Sequence, residues 1–357
     1  MRTNHREPSP RVTLAGHPVG VGHPCFVIAE AGVNHDGDLQ RAHALVDVAA
    51  DAGADAVKFQ TFRTDRLVTA SAPKAAYQRE ATGAHESQAV MLRRLELSPE
   101  AHVELQRHCE DRGILFLSTP FDEESLELLV GLGVPAIKVG SGEVTNHPFL
   151  RRVARTGLPV LLSTGMSTLG EAEAAVQVIR GAGTTDLALF HCVSSYPAPP
   201  EETNLRAMET LAVAFGVPVG LSDHTQGTAV SLAAVALGAS LLEKHFTLDR
   251  TLPGPDHRAS LEPAELVALV QGARTIEVAL GHGRKEPVPA ELDTRLVARR
   301  SLVLAADASA GAEVTEAMLT ALRPATGISP ADERLVLGRR LRRAVRAGEL
   351  LQWDHLL

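Results

Sequence analysis

Two histidines carry the densest chemical signal in the chain. The stretch VGLSDHTQG (219–227) places His224 just after a short apolar run, and LLEKHFTLD (241–249) places His245 at the end of the next. If both runs are strands of one parallel sheet, the two imidazoles emerge side by side at the same edge. Such a pair suits Mn, Fe, Co, Ni or Zn, and two protein ligands leave coordination positions for water and for an oxygen-bearing substrate. A lone histidine at a strand end is more often a hydrogen-bonded cap. It is the pairing, with Asp223 and Glu243 as acidic neighbours, that points to a metal.

The same kind of position is polar along the rest of the chain. Glu30 ends the first apolar run, Lys58 and Gln60 the second, and Thr119 follows the third. Lys138, Ser141 and Glu143 follow the fourth, Ser163 the fifth, Ser194 and Tyr196 the sixth, Ser222 and His224 the seventh, Lys244 and His245 the eighth. A lysine at a strand end needs an anionic partner or is costly to desolvate. Two lysines, several hydroxyls and the glycine-rich turn KVGSGE (138–143) make a site for a phosphate and a carboxylate on one small molecule, a description that phosphoenolpyruvate fits. Glu30, Glu143 and Asp256 can act as acid or base there if each is partly desolvated. Cys25, Cys109 and Cys192 are far apart and none lies in a CxxC. That argues against a disulfide framework or a thiolate zinc site and fits a reducing cytoplasm.

These residues need a scaffold that brings eight strand ends together. From residue 26 the chain repeats one phrase: a short apolar run, a polar turn, an amphipathic helix, then a glycine suited to the left-handed position after a helix. Gly53, Gly113, Gly133, Gly157, Gly183, Gly216 and Gly238 each precede an apolar run, and FVIAEA (26–31) is the first run, making eight. Ser98 with Pro99, and Thr168 with Glu171, mark helix starts. Eight β-α units with non-alternating strands predict a closed (β/α)8 TIM barrel rather than a doubly wound open sheet. VTLAGHPVGVG (12–22) predicts a hairpin that plugs one end of it. Thr61 to Leu97 is too long for a plain connection and predicts a substrate-covering loop with a helix of its own.

Near residue 285 the phrase stops. The charged, proline-punctuated RKEPVPAELD (284–293) marks a linker; the barrel with its N-terminal hairpin is assigned to 1–285, the linker to 286–297, and a small second domain of short strands and turns to 298–357. The opening MRTNHREPSP lacks an apolar signal core and is expected to be loosely ordered, and no apolar run reaches the ~18 residues of a membrane span. A net charge of −8 gives no general attraction to nucleic acid or anionic lipid, so an anionic substrate must be held by a local basic pocket.

The segments FVIAEAGVNHDGD, AVKFQTF, FLSTPFD, IKVGSGE, LSTGM, YPAPPEETNL, GLSDHT, EKHFTLDR and GPDHRAS, in this order, together resemble the sialic acid synthases, the N-acetylneuraminate synthase group. LRPATGIS (322–329) resembles the antifreeze-like domain, of β-clip type, that follows their barrel. The resemblance implies a metal-dependent condensation of phosphoenolpyruvate with N-acetylmannosamine or a related N-acetylated hexosamine, giving a nine-carbon 2-keto sugar acid and phosphate. It implies that His224 and His245 bind the divalent metal, Mn2+ before Mg2+ or Co2+. Lys58, Lys138, Thr119, Ser141, Ser163 and Ser222 would hold phosphoenolpyruvate, and Glu30, Gln60, Tyr196 and Asp256 the sugar, with Glu143 handling the attacking water. Arg323 would reach the sugar in the other subunit's barrel, which implies a swapped homodimer.

Two departures bear on the substrate. Ser194 stands where these synthases often carry asparagine, and the loop around Gly83 lacks an expected asparagine. His257 after Asp256, where pseudaminic acid synthases tend to carry serine, leans to the neuraminate or legionaminate branch. A sister enzyme using a 2,4-diacetamido sugar is the alternative within this chemistry. A non-catalytic sugar binder would have no use for Lys58, Lys138, His224 and His245 together, and a Schiff-base aldolase needs a lysine desolvated in an apolar pocket, not one amid hydroxyls.

Overall fold

The computed structural model describes residues 11–83 and 85–357; the start expected to be loose, residues 1–10, lies outside them. The chain divides into two compact units, the first ending at Gly281 and the second running from His282 to Leu357.

In the first unit a hairpin of β1 (Arg11–Leu14) and β2 (His17–Gly20) precedes eight strands. These are β3 (Phe26–Gly32), β4 (Ala56–Thr61), β5 (Leu115–Pro120), β6 (Ile137–Val139), β7 (Val160–Ser163), β8 (Leu187–Cys192), β9 (Val219–Asp223) and β10 (Leu241–His245). All are parallel, and β3 pairs with both β4 and β10, so the sheet curls until its first and last strands meet. The hydrogen-bonded order ends at β5 and β6, which lie side by side as the seam of a nearly closed barrel. Helices follow the strands and cover them, and the eight apolar runs read from the sequence are the eight barrel strands. Ser98 caps the helix Pro99–Arg112, Thr168 and Glu171 form a reciprocal cap on the helix Leu169–Gly181, and Gly113 (φ 69°) and Gly133 (φ 75°) end helices in the left-handed region.

The strands have two buried faces. Val27, Val57, Phe59, Leu162, Leu189 and Leu242 pack outward under the helices. Phe26, Ile28, Ala56, Leu117, Leu161 and Leu241 pack inward, together with Val12, Leu14 and Val19 of the hairpin. The hairpin therefore stoppers the N-terminal mouth of the barrel, and side chains one or two steps further along the inward face reach the opposite mouth. The excursion between β4 and β5 carries three short helices, Thr64–Leu67, Ala76–Thr82 and Gln88–Arg93. Met91, Leu92 and Leu95 pack on Phe62 and Val33 in a small core of their own. Buried Lys74 donates to Thr82 Oγ1 (2.7 Å), the Gly83 carbonyl (3.0 Å) and Glu86 (2.8 Å), and Arg94 grips the same carboxylate.

The second unit opens with the exposed helix Leu292–Ala298, inside the stretch read as a linker, because Pro289 and Glu291 start a turn that the following helix formers extend. Antiparallel β11 (Ser301–Leu304) and β12 (Leu319–Leu322) follow, over a core that includes Leu302, Leu304, Val314, Leu341 and Leu351. Among the described residues no helix is long and apolar enough to cross a membrane.

Candidate active site

Strand parity decides which polar residues meet. Along β10 the inward positions are Leu241, Glu243 and His245; along β4 they are Ala56, Lys58 and Gln60. Register then sets neighbours: Ser222 lies beside Glu243, Glu30 beside Lys58 and His245, and Gln60 beside Thr119. Lys244 falls on the other face. Its ammonium pairs with Asp223 (2.9 Å) and the Thr225 carbonyl under a helix, and Ser231 adds a bond to Asp223. It leaves the ring of strand-end groups, and Glu243 takes its place.

The floor of the site is a buried group of four charges. Lys58 Nζ lies 2.6 Å from Glu30 Oε2, 2.9 Å from Thr119 Oγ1 and 3.8 Å from Glu243 Oε2. Lys138 Nζ donates to Ser163 Oγ (2.7 Å), lies 3.4 Å from Glu243 Oε1 and stands over the Phe190 ring. Ser222 Oγ donates to Glu243 Oε1 at 2.8 Å. Burial alone would raise the Glu243 carboxyl, but Lys138, Lys58 and the Ser222 hydroxyl bring it down to about 2. Burial dominates at Glu30 and pushes it up to about 7 despite Lys58. For Lys58, burial opposes the charge, yet Glu243 and Glu30 outweigh it and raise the ammonium above its ordinary value. Burial prevails at Lys138 and lowers it. Glu243 stays ionised while Glu30 takes up a proton near neutral pH, so the two ammonium groups leave the floor with a positive charge available to an anion.

One wall is built round Gly165. Its N–H donates to Ser141 Oγ (2.9 Å), and a Cβ there would collide with Ser194 Oγ and crowd Ser141 Oγ (2.9 Å) and Cys192 Sγ (3.2 Å). Only a bare backbone leaves room for all three. Cys192 also lies 3.7 Å from His224 Nδ1.

Above the floor, the His224 and His245 rings lie 5.4 Å apart. His224 Nδ1 donates to the Val193 carbonyl at 2.7 Å, which leaves Nε2 with a free lone pair. His245 Nδ1 is buried and has no hydrogen-bond partner. An orphaned ring nitrogen beside an oriented one fits a cation held by two imidazoles. Among the described residues there is no group of three or more His, Cys, Asp or Glu side chains that could hold a metal, so further ligands would come from water or substrate. Tyr196, half-buried, packs on His224 (4.1 Å between ring centroids) and edge-on to His245 (5.8 Å). Buried Asp256 has its carboxyl pushed up to about 6, chiefly by burial.

Of the residues singled out from sequence, Glu30, Lys58, Thr119, Lys138, Ser163, Ser222, His224 and His245 lie in the buried set, and Gln60, Ser141, Ser194 and Tyr196 are half-buried around it. Glu143 stands apart on a turn, partly exposed, and accepts from Asn146 Nδ2 (2.7 Å). Arg323 is exposed at the end of β12 in the second unit. Sequence reading missed the central place of Glu243, legible from strand parity, and it missed Tyr77, whose ring stacks on Tyr196 at 4.9 Å. The excursion containing Tyr77 has no periodicity that could have placed it.

The model of the NeuB family matches residues 45–285 and that of the SAF domain residues 299–357. The chain is 47% identical to N,N'-diacetyllegionaminic acid synthase of Legionella pneumophila over 95% of this chain and 96% of that protein. It is 39% identical to N-acetylneuraminate-9-phosphate synthase of Homo sapiens over 85% of each. Among solved structures, the N-acetylneuraminic acid (sialic acid) synthetase of Leptospira borgpetersenii in complex with citrate superposes with a TM-score of 0.71 at 37% identity, covering 81% of this chain and 96% of that one.

Proposed function

The chain belongs to the NeuB family, and on that premise we propose that it condenses phosphoenolpyruvate with a 2,4-diacetamido hexose to give a nonulosonic acid and phosphate. The observation that carries the reading is the buried Glu30–Lys58–Glu243–Lys138 group lying beneath two imidazoles. The diacetamido class is favoured over N-acetylmannosamine by 47% identity to a diacetyllegionaminic acid synthase against 37% to an N-acetylneuraminic acid synthetase.

In this reading Lys58 and Lys138, with Thr119, Ser141, Ser163 and Ser222, receive the phosphate and carboxylate of phosphoenolpyruvate. Glu243 keeps both ammonium groups charged and aimed before the anion arrives. His224 and His245 would hold a divalent cation, Mn2+ before Mg2+ or Co2+, which when bound polarises the carbonyl of the open-chain sugar. Glu30, Gln60, Tyr196 and Asp256 hold the sugar. The sugar's carbonyl oxygen becomes an alcohol and needs a proton, and Asp256 and Glu30, lifted to about 6 and about 7, are groups that hold one near neutral pH. Glu143, partly exposed on its turn, is assigned to the water that adds as phosphate leaves. Arg323 is assigned to the sugar in a partner subunit's barrel, making the enzyme a homodimer. Three buried, unpaired cysteines support a cytoplasmic setting.

The test is phosphate release with phosphoenolpyruvate, Mn2+ and either a 2,4-diacetamido hexose or N-acetylmannosamine, with the product identified by mass spectrometry. We expect kcat/KM at least tenfold higher for the diacetamido sugar. A preference for N-acetylmannosamine would move the enzyme to the neuraminate branch, and no phosphate release with either sugar would sink the reading.

A further inference from the structure

The chain has two tyrosines in 357 residues, and both meet over the paired histidines. Tyr77 lies on the helix Ala76–Thr82 of the excursion between β4 and β5, far in sequence from Tyr196 in the loop after β8. The two rings are stacked at 4.9 Å with 29° between planes, and Tyr196 in turn leans on His224 at 4.1 Å and meets His245 edge-on. Tyr196 is thus the middle member of a stack of three rings, with the excursion on one side and the histidine pair on the other. Such ring pairs have a preferred geometry and resist displacement beyond their area burial.

The outer ring is itself held. Tyr77 Oη accepts from Gln78 Nε2 (3.3 Å), and the same buried Gln78 accepts from the Ala75 N–H (3.0 Å) and from Gln88 Nε2 (3.3 Å) through Oε1. The Lys74–Glu86–Arg94 clamp fixes the segment on both sides of that helix. A free loop would not spend a buried lysine and a buried glutamine on holding one tyrosine-bearing turn in place.

We propose that Tyr77 is a positioning residue for the amino-sugar half of the site: its ring holds Tyr196 against His224, so that the sugar meets a preset surface. The inference rests on the proposed condensation but makes a separable claim, that the ring acts, that it acts through Tyr196, and that it acts on the sugar and not on phosphoenolpyruvate. Tyr77→Phe keeps the ring and removes the hydroxyl; Tyr77→Leu keeps apolar bulk and removes the ring.

Two measurements test it. With only two tyrosines, ring-labelled tyrosine gives a two-component NMR spectrum in the metal-free protein, without turnover. The Tyr196 signals should shift in Tyr77→Leu, as the ring current of its neighbour is lost, and stay near their wild-type positions in Tyr77→Phe. In steady-state assays of the Mn2+-loaded enzyme, Tyr77→Leu should raise KM for the amino sugar roughly five- to tenfold, with KM for phosphoenolpyruvate within about twofold of wild type, and Tyr77→Phe should match wild type in both. Unmoved Tyr196 signals in Tyr77→Leu overturn the stack. An unchanged sugar KM, an equal rise in both KM values, or a Phe variant as impaired as the Leu variant overturns positioning by the ring. Failure of the condensation reading shows separately, as absence of phosphate release by the wild type.

Discussion

At Asp256 a single carboxyl shows how the site stores chemical potential in the fold. Burial raises it from the ordinary 3.8 to about 6. The folded protein therefore binds this proton more tightly than the unfolded chain does. The stability so gained is fully present below the unfolded value and is lost as pH rises through about 6. Asparagine does not titrate, so Asp256→Asn should gain stability relative to wild type as pH rises. A shift of about two units is worth up to about 3 kcal/mol, and most of it should appear between pH 4 and pH 8 in denaturant-unfolding curves of the two proteins. A difference that stays flat over this range would mean that Asp256 is solvated. The residue scale is also where the sequence was most and least legible. The histidine pair and both lysines were visible because strand ends in a barrel are aimed at one mouth. Lys244 and Glu243 were interchanged in importance because a strand alternates faces, and a one-residue step moves a group from the site to the layer beneath the helices.

Among the elements, the hairpin of β1 and β2 is the clearest case of a short segment with a long-range effect. Leu14 is fully buried where the hairpin enters the barrel mouth, packed with inward residues of strands drawn from the whole first unit. Leu14→Ala should cost about 2–5 kcal/mol in denaturant unfolding, since the closed barrel wall cannot collapse into the space left. Val21, exposed just beyond the hairpin, provides the control: Val21→Ala should stay within about 0.5 kcal/mol of wild type. A loss below about 1 kcal/mol for Leu14→Ala would show that the stopper is loosely seated. The hairpin, the eight strands and the helix caps could all be read in sequence, because each is a local pattern repeated with fixed punctuation. The excursion could be recognised only by its excess length. Its helices are short, and its order comes from Lys74, Gln78 and Glu86 pairing across turns, contacts that leave no periodic trace.

At the scale of the whole molecule, the proposal that Arg323 acts at a partner's barrel can be set against action on its own chain by mixing variants. Arg323 is exposed at the end of β12, followed by Pro324, and its planar guanidinium can give paired hydrogen bonds to an amide oxygen and a hydroxyl of an acetamido sugar. Arg323→Ala should therefore weaken the sugar, and Lys138→Ala should disable the floor of the site by removing an ammonium 2.7 Å from Ser163 and 3.4 Å from Glu243. Mixing the two variants separates the arrangements. If Arg323 acts across a dimer, one site of each mixed dimer carries both lesions and the other carries neither. Equal mixing makes about half the dimers mixed, so about a quarter of wild-type activity should return. If Arg323 acts on its own barrel, every site keeps one lesion and mixing restores nothing. Differently tagged chains, purified through both tags, establish that mixed dimers form; those dimers should then have about half the wild-type activity. Mixed dimers no more active than their parents would rule out the exchange of Arg323 between subunits while leaving the assignment of the barrel site untouched.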